Sequence, residues 1–117
     1  MIKPVKIILL DEAKEEFERL NKIAGWQKEK GIENSEEIRL INSIKSKIEL
    51  LKRNPFFGDN FPKRLIPKNY DVPNLWRIEL SNFWRMIYTI RGDNIEIICF
   101  VLNITDHKKY NKIFGYK

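Results

Sequence analysis

The spacing of apolar positions changes several times along the chain, and each change marks an element. Residues 5–10, VKIILL, form a short apolar run rich in β-branched side chains between Pro4 and Asp11, which predicts a buried strand. Asp11 then fits as the N-cap of a helix. Ala13, Phe17, Leu20 and Ala24 follow at helical spacing with charged residues between them, and Gly25 supplies a stop. A second amphipathic helix is predicted from Ile38, Ile41, Ile44, Ile48 and Leu51, opened by Asn34 and Glu37 in capping-box relation and closed near Asn54 by Pro55. The stretch NPFFGDNFPKRLIPKNYDVPN holds four of the five prolines and reads as a loop with local turns. Its three phenylalanines, Phe56, Phe57 and Phe61, argue that it packs down rather than extending into solvent.

Beyond this loop the period becomes two. In LWRIELSN, Trp76, Ile78 and Leu80 alternate with Arg77 and Glu79; in FWRMIYTI, Trp84, Met86, Tyr88 and Ile90 alternate with Arg85, Ile87 and Thr89. A turn at Ser81–Asn82 joins these strands, and RGDN at 91–94 signals a further hairpin into IEIICFVLNI, the continuous apolar run of a central strand. The predicted order is β-α-α-β-β-β, an α+β fold in which an antiparallel meander and an N-terminal strand carry a helical hairpin on one face.

Composition narrows this picture. A chain of 117 residues, 43% hydrophobic and 32% charged, matches one folded domain over 1–117. The single cysteine, Cys99, lies inside IICFVL, so neither a disulfide nor a cysteine-based zinc site can form within the chain, and a reducing, cytoplasmic setting is expected. No apolar stretch approaches the roughly 20 residues of a bilayer span, and the N-terminus turns acidic too soon for a signal peptide. Net charge is +6; most acidic groups fall between residues 11 and 37, whereas Lys and Arg dominate from Lys63 onward. A cationic surface suited to a polyanion or an acidic partner follows for the second half.

No Gly-rich phosphate loop, G-x-S-x-G motif or histidine pair at metal spacing is present, so no metal or cofactor is expected. The remaining chemistry lies in cations and hydrogen-bonding groups that hairpin pairing brings together: Arg77, Arg85, His107, Lys108, Lys109 and Tyr110. Arg85 faces away from Trp84 and Met86, either toward an open groove or as a surface arginine pairing with Glu79. His107 is either an exposed polar residue after the last strand or a proton carrier working near neutral pH. Tyr110 can add a hydrogen bond or a stacking face for a base.

The strand VKIILLD with the helix start EAKEEFERL, the second helix ending in NP, W-R-I-E-L followed by W-R-M-I-Y, and the basic terminus ITDHKKYNKIFGY together resemble the RelE/ParE superfamily of type II toxin–antitoxin toxins. The resemblance implies a ribosome-dependent endoribonuclease that cleaves mRNA without a metal, by attack of the ribose 2′-OH on the adjacent phosphate. By that resemblance Arg85 binds the scissile phosphate, Arg77 supports the developing charge, and His107 or Lys108 serves as general acid. Tyr110 then approximates the C-terminal aromatic of active members, with Tyr116 or Phe114 as the alternative match. Glu79 stands where several members carry a second lysine, and is either a base or a sign of lost activity. Lys63, Arg64, Lys68 and Lys109 are expected RNA contacts, toward mRNA or rRNA. An antitoxin protein is the implied partner. The same superfamily includes ParE-like gyrase inhibitors without nuclease activity, and a catalytically inactive RNA-binding relative is a third possibility.

Overall fold

The computed structural model describes residues 3–115. Strand β1 (Val5–Leu9) leads into helices α1 (Asp11–Glu29) and α2 (Glu36–Arg53); β2 (Asp59–Asn60), β3 (Trp76–Glu79), β4 (Arg85–Gly92) and β5 (Ile97–Thr105) follow, and α3 (His107–Phe114) is the last element among the described residues. The five strands form one sheet in the order β1-β5-β4-β3-β2. β3, β4 and β5 form the expected antiparallel meander. The N-terminal strand joins it in parallel beside β5, from Val5 opposite Ile97 to Leu9 opposite Val101, so the sheet is mixed. Insertion between β1 and β4 accounts for the unbroken apolar character of β5, which has a hydrogen-bonded neighbour on each side.

Three local expectations are corrected. Helix α1 runs through Gly25 to Glu29: Gly25 has no positive φ and lies in open space, so it weakens the helix without ending it, and the left-handed turn comes at Gly31, φ +83°. Asp11 is not the N-cap; Leu10 occupies that position, and its carbonyl accepts from the N–H groups of Ala13 and Lys14. The Asn34–Glu37 capping box does not form. Ser35 caps α2 instead, its Oγ accepting from Ile38 N–H at 3.0 Å, while Glu37 accepts from the Gln27 side-chain amide at 2.7 Å and so ties α2 to α1.

One sheet face carries the helical hairpin. Leu20, Ala24, Ile41 and Ile44 pack there against Ile78, Met86, Tyr88 and Val101, each almost fully buried, with burial of a side chain of this kind contributing roughly 1.5–3 kcal/mol. The opposite face is covered by the proline-rich loop and α3, around a second cluster of Leu75, Ile87 and Tyr110 joined by Phe61, Tyr70 and Phe114. Of the three loop phenylalanines, Phe61 packs in, stacked on Phe114 with ring centroids 4.8 Å apart; Phe56 and Phe57 are more than half exposed, although Phe56 meets Trp76 edge-on at 5.6 Å. β2, two residues long and paired with β3, was not anticipated.

Helix α3 was not anticipated either. Asp106 caps it by accepting from Lys109 N–H at 2.8 Å, and Gly115 ends it at φ +73°. The C-terminal residues that sequence reading places at a strand end therefore lie on a helix folded back over the sheet. No helix among the described residues is long and apolar enough to cross a membrane.

Candidate functional site: a guanidinium pair over Tyr110

Arg77 on β3 and Arg85 on β4 share the sheet face that α3 covers. Arg77 stands opposite Ile87 and Glu79 opposite Arg85, so the two arginines are separated by one same-face step of the ladder. On its other side Arg85 pairs with Thr105, the last residue of β5. The chain turns into α3 two residues later, and this delivers His107 to Arg85, whose Nη1 lies 3.5 Å from His107 Nδ1.

Tyr110 is the floor of the cluster. It is 2% exposed, and both guanidinium groups rest on its ring, Arg85 Cζ at 4.4 Å from the centroid and Arg77 Cζ at 5.8 Å. Arg77 Nη1 also donates to the Tyr110 hydroxyl at 2.9 Å, and its Nη2 meets Asp59 Oδ2 at 3.3 Å. Burial works against the Arg77 charge, and the hydrogen bonds to Tyr110 and Asp59 outweigh it, which leaves the pKa above its usual value.

Arg85 is held differently. Its Nη1 donates to the Phe83 carbonyl at 3.3 Å, and among the described residues no carboxylate forms an ion pair with it. Glu79, its cross-strand neighbour, is exposed and does not bridge to it. The Nε atoms of both Arg77 and Arg85 are buried without a hydrogen-bond partner. Buried polar atoms are nearly always paired, so these two orphaned guanidinium N–H groups are exceptions.

His107 is exposed, with Asn111 Nδ2 3.3 Å from its Nε2 and the Phe83 ring centroid 6.4 Å away. Arg77, Arg85, His107 and Tyr110 thus converge, as sequence reading expects. Tyr110 is buried beneath the arginines, so its ring cannot stack on a base. Lys108 is exposed on the first turn of α3 with no bond to the cluster. Lys109 points to the other side of α3, where its Nζ lies 3.8 Å from Glu12. Lys63 and Arg64 on a 3₁₀ turn, and Lys68 after it, are exposed on the covering loop. Phe114 belongs to the second core cluster, and Tyr116 lies outside the described residues.

Two shallow clefts meet at Arg77, of about 280 and 210 Å³, with Asp59 common to both and Glu79 lining the larger. A larger cleft, about 460 Å³, lies elsewhere, between Glu12, Tyr70, Asn103 and Lys109. Its polar groups satisfy one another: Tyr70 O–H donates to Asn103 Oδ1, and the Asn103 amide donates to Glu12 at 2.8 Å. Arg77, held by Tyr110 and Asp59, lines both smaller clefts. Sequence reading missed Asp59, for which no signal existed, and Phe83, whose place in a tight Ser-Asn-Phe turn between strands was a usable one.

The chain has a RelE/ParE-like fold. It is similar to the YoeB/ParE toxin from Agrobacterium tumefaciens, with a TM-score of 0.57 and 19% identity over 87% of this chain and 98% of that one. It is also similar to the YoeB dimer from Staphylococcus aureus, with a TM-score of 0.53 and 13% identity over 89% of this chain and 98% of that one. No family model matches the chain, and no curated protein matches its sequence.

Proposed function

We propose that this chain is the toxin of a type II toxin–antitoxin pair, and that it acts in the cytoplasm as a metal-independent endoribonuclease on mRNA at the ribosome. The observation that carries the reading is Arg85, a guanidinium fixed over Tyr110, unpaired by any described carboxylate and next to the only histidine. A phosphodiester supplies the missing counter-charge, and its two free oxygens match the planar fork of arginine.

In the reaction, the ribose 2′-oxygen forms a bond to phosphorus as the bond to the 5′-oxygen breaks. Arg85 holds the phosphate, and Arg77 stabilises charge as it builds on the equatorial oxygens. His107 gives a proton to the departing 5′-oxygen, leaving a cyclic phosphate and a free 5′-OH. The 2′-OH proton goes to a base, a role for which Glu79, exposed and opposite Arg85 in the ladder, is positioned. Tyr110 acts through the arginines as a positioning residue. Lys108 lies on the solvent side of the cluster, and Lys63, Arg64, Lys68 and Lys109 bind RNA backbone; the exposed Lys109–Glu12 pair is weak enough for a phosphate to displace. An antitoxin with an acidic segment is the expected partner, silencing the protein by covering the same cations.

The test is 5′-end mapping of a message in a translating extract with wild-type protein, Arg85→Ala and His107→Ala. Cuts at codon positions that disappear in both variants support the reading. Intact message with unimpaired translation refutes it and directs attention to gyrase supercoiling.

A further inference from the structure

The turn between β3 and β4 places two consecutive non-glycine residues at positive φ, Asn82 at 56° and Phe83 at 64°. Asparagine tolerates this region; a bulky aromatic does so only when its surroundings impose it. The turn is firmly imposed. Leu80 N–H donates to the Trp84 carbonyl at 2.8 Å, Ser81 N–H donates to Ser43 Oγ at 3.1 Å, and the Asn82 amide donates to Glu36, so the segment is tied to α2 from behind.

The strain decides which aromatic goes where. Trp84 packs against the main core, whereas Phe83 projects outward and, at 73% exposure, is the most exposed aromatic side chain among the described residues. Its carbonyl receives Arg85 Nη1, and its ring stands 6.4 Å from the His107 imidazole at a 58° tilt. A strained backbone thus holds an apolar ring in water at the rim of a cationic cluster, an arrangement that core packing does not call for.

We propose that Phe83 is a stacking platform for a nucleobase flanking the scissile phosphate. This rests on the ribonuclease reading above. A single strand bound at Arg85 carries a base on either side of its phosphate, and a flat apolar face beside the guanidinium takes one of them with little dependence on hydrogen-bond pattern. Tyr110, buried under the arginines, is not free to take this role, and Phe83 is the exposed ring beside Arg85 and His107.

The experiment maps and quantifies cleavage in the same translating extract with wild-type protein, Phe83→Leu, Phe83→Trp, Phe83→Gly and Arg85→Ala. The expected result is a roughly tenfold or greater loss of cleavage for Phe83→Leu, which keeps bulk and removes the aromatic face. A wild-type preference for purines next to the cut should flatten in that variant, and Phe83→Trp should retain both rate and preference. Phe83→Gly should cleave as poorly as Phe83→Leu while unfolding at higher urea than wild type, because glycine relieves the positive φ; a merely structural Phe83 would lose stability instead. Wild-type cleavage rates in Phe83→Leu, or a loss of rate with base preference unchanged, overturn the stacking role. A wild type that never cuts overturns the ribonuclease reading and this proposal with it, whereas loss in Arg85→Ala alone overturns only the latter.

Discussion

The Arg77–Tyr110 hydrogen bond joins β3 to α3, and its strength can be measured without reference to activity. Tyr110→Phe removes one oxygen from a side chain that is 2% exposed and leaves the ring under both guanidinium groups. The bond is 2.9 Å with a charged donor, and a buried bond of that kind contributes about 1.5–3 kcal/mol. Arg77 is 28% exposed, so water can replace part of what it loses, and Asp59 retains the other arm of the fork. A coupling energy of about 1 kcal/mol between the two side chains remains. It is read from a double-mutant cycle of Arg77→Met, Tyr110→Phe and the double variant in urea. With a slope of about 1.5 kcal/mol/M, expected for a chain of this size, the coupling corresponds to about 0.7 M in the unfolding midpoint. A coupling below about 0.3 kcal/mol would refute the claim that the hydroxyl holds Arg77 against α3.

Gly58 is the second point of stress: an added Cβ would lie 2.5 Å from both the Arg77 carbonyl and the Tyr88 hydroxyl, which itself donates to the Pro55 carbonyl at 3.0 Å. Gly58→Ala is therefore expected to cost about 1–3 kcal/mol in urea unfolding, the usual range for overpacking, and to reduce cleavage by displacing Arg77. Tyr70 and Tyr88 are both pushed up to about 12 from the usual 10, chiefly by burial. The folded chain holds these protons longer than the unfolded chain, so their contribution is complete below pH 10 and is lost as pH rises to 12; urea midpoints should fall across that window, and tyrosinate absorbance should titrate late in native protein. Replacing Lys63, Arg64 and Lys68 together by alanine should weaken RNA or ribosome binding uniformly across sequences and lower the log–log salt slope by about 2, at about 0.7 per single-strand phosphate contact; an unchanged slope would remove these residues from the interface.

Elements with strong periodicity were legible from the sequence because one face of each is buried against a single partner layer. The stripe of Ile38, Ile41 and Ile44 and the alternation of Trp76 with Ile78 are of this kind. Boundaries were less legible where two signals competed. Gly25 looked like a stop because glycine disfavours helix, yet α1–α2 packing at Leu20 and Ala24 carries the helix past it. Ser35, rather than Asn34, caps α2, a one-residue choice that propensity cannot make. Helix α3 had two signals of its own, an Asp106 cap and a Gly115 end, both masked by the density of lysines between them.

The site was partly hidden for a more particular reason. Along β4 and β5, Ile87 pairs with Asn103 but Tyr88 pairs with Val101, so Leu102 is an extra residue, a β-bulge. The bulge shifts the phase of everything after it: Val101 and Ile104, three apart, both pack into the helix-side core, while Leu102 joins the cluster under α3. Thr105 consequently comes opposite Arg85, and the chain leaves the sheet above the arginine face. Strict alternation from Val101 would have put Ile104 on the arginine face and Thr105 on the helix side, sending His107 away from Arg85. In a continuous apolar run such as IICFVL no alternation exists to reveal the slip. One unpaired leucine thus decides that the only histidine meets the unpaired arginine.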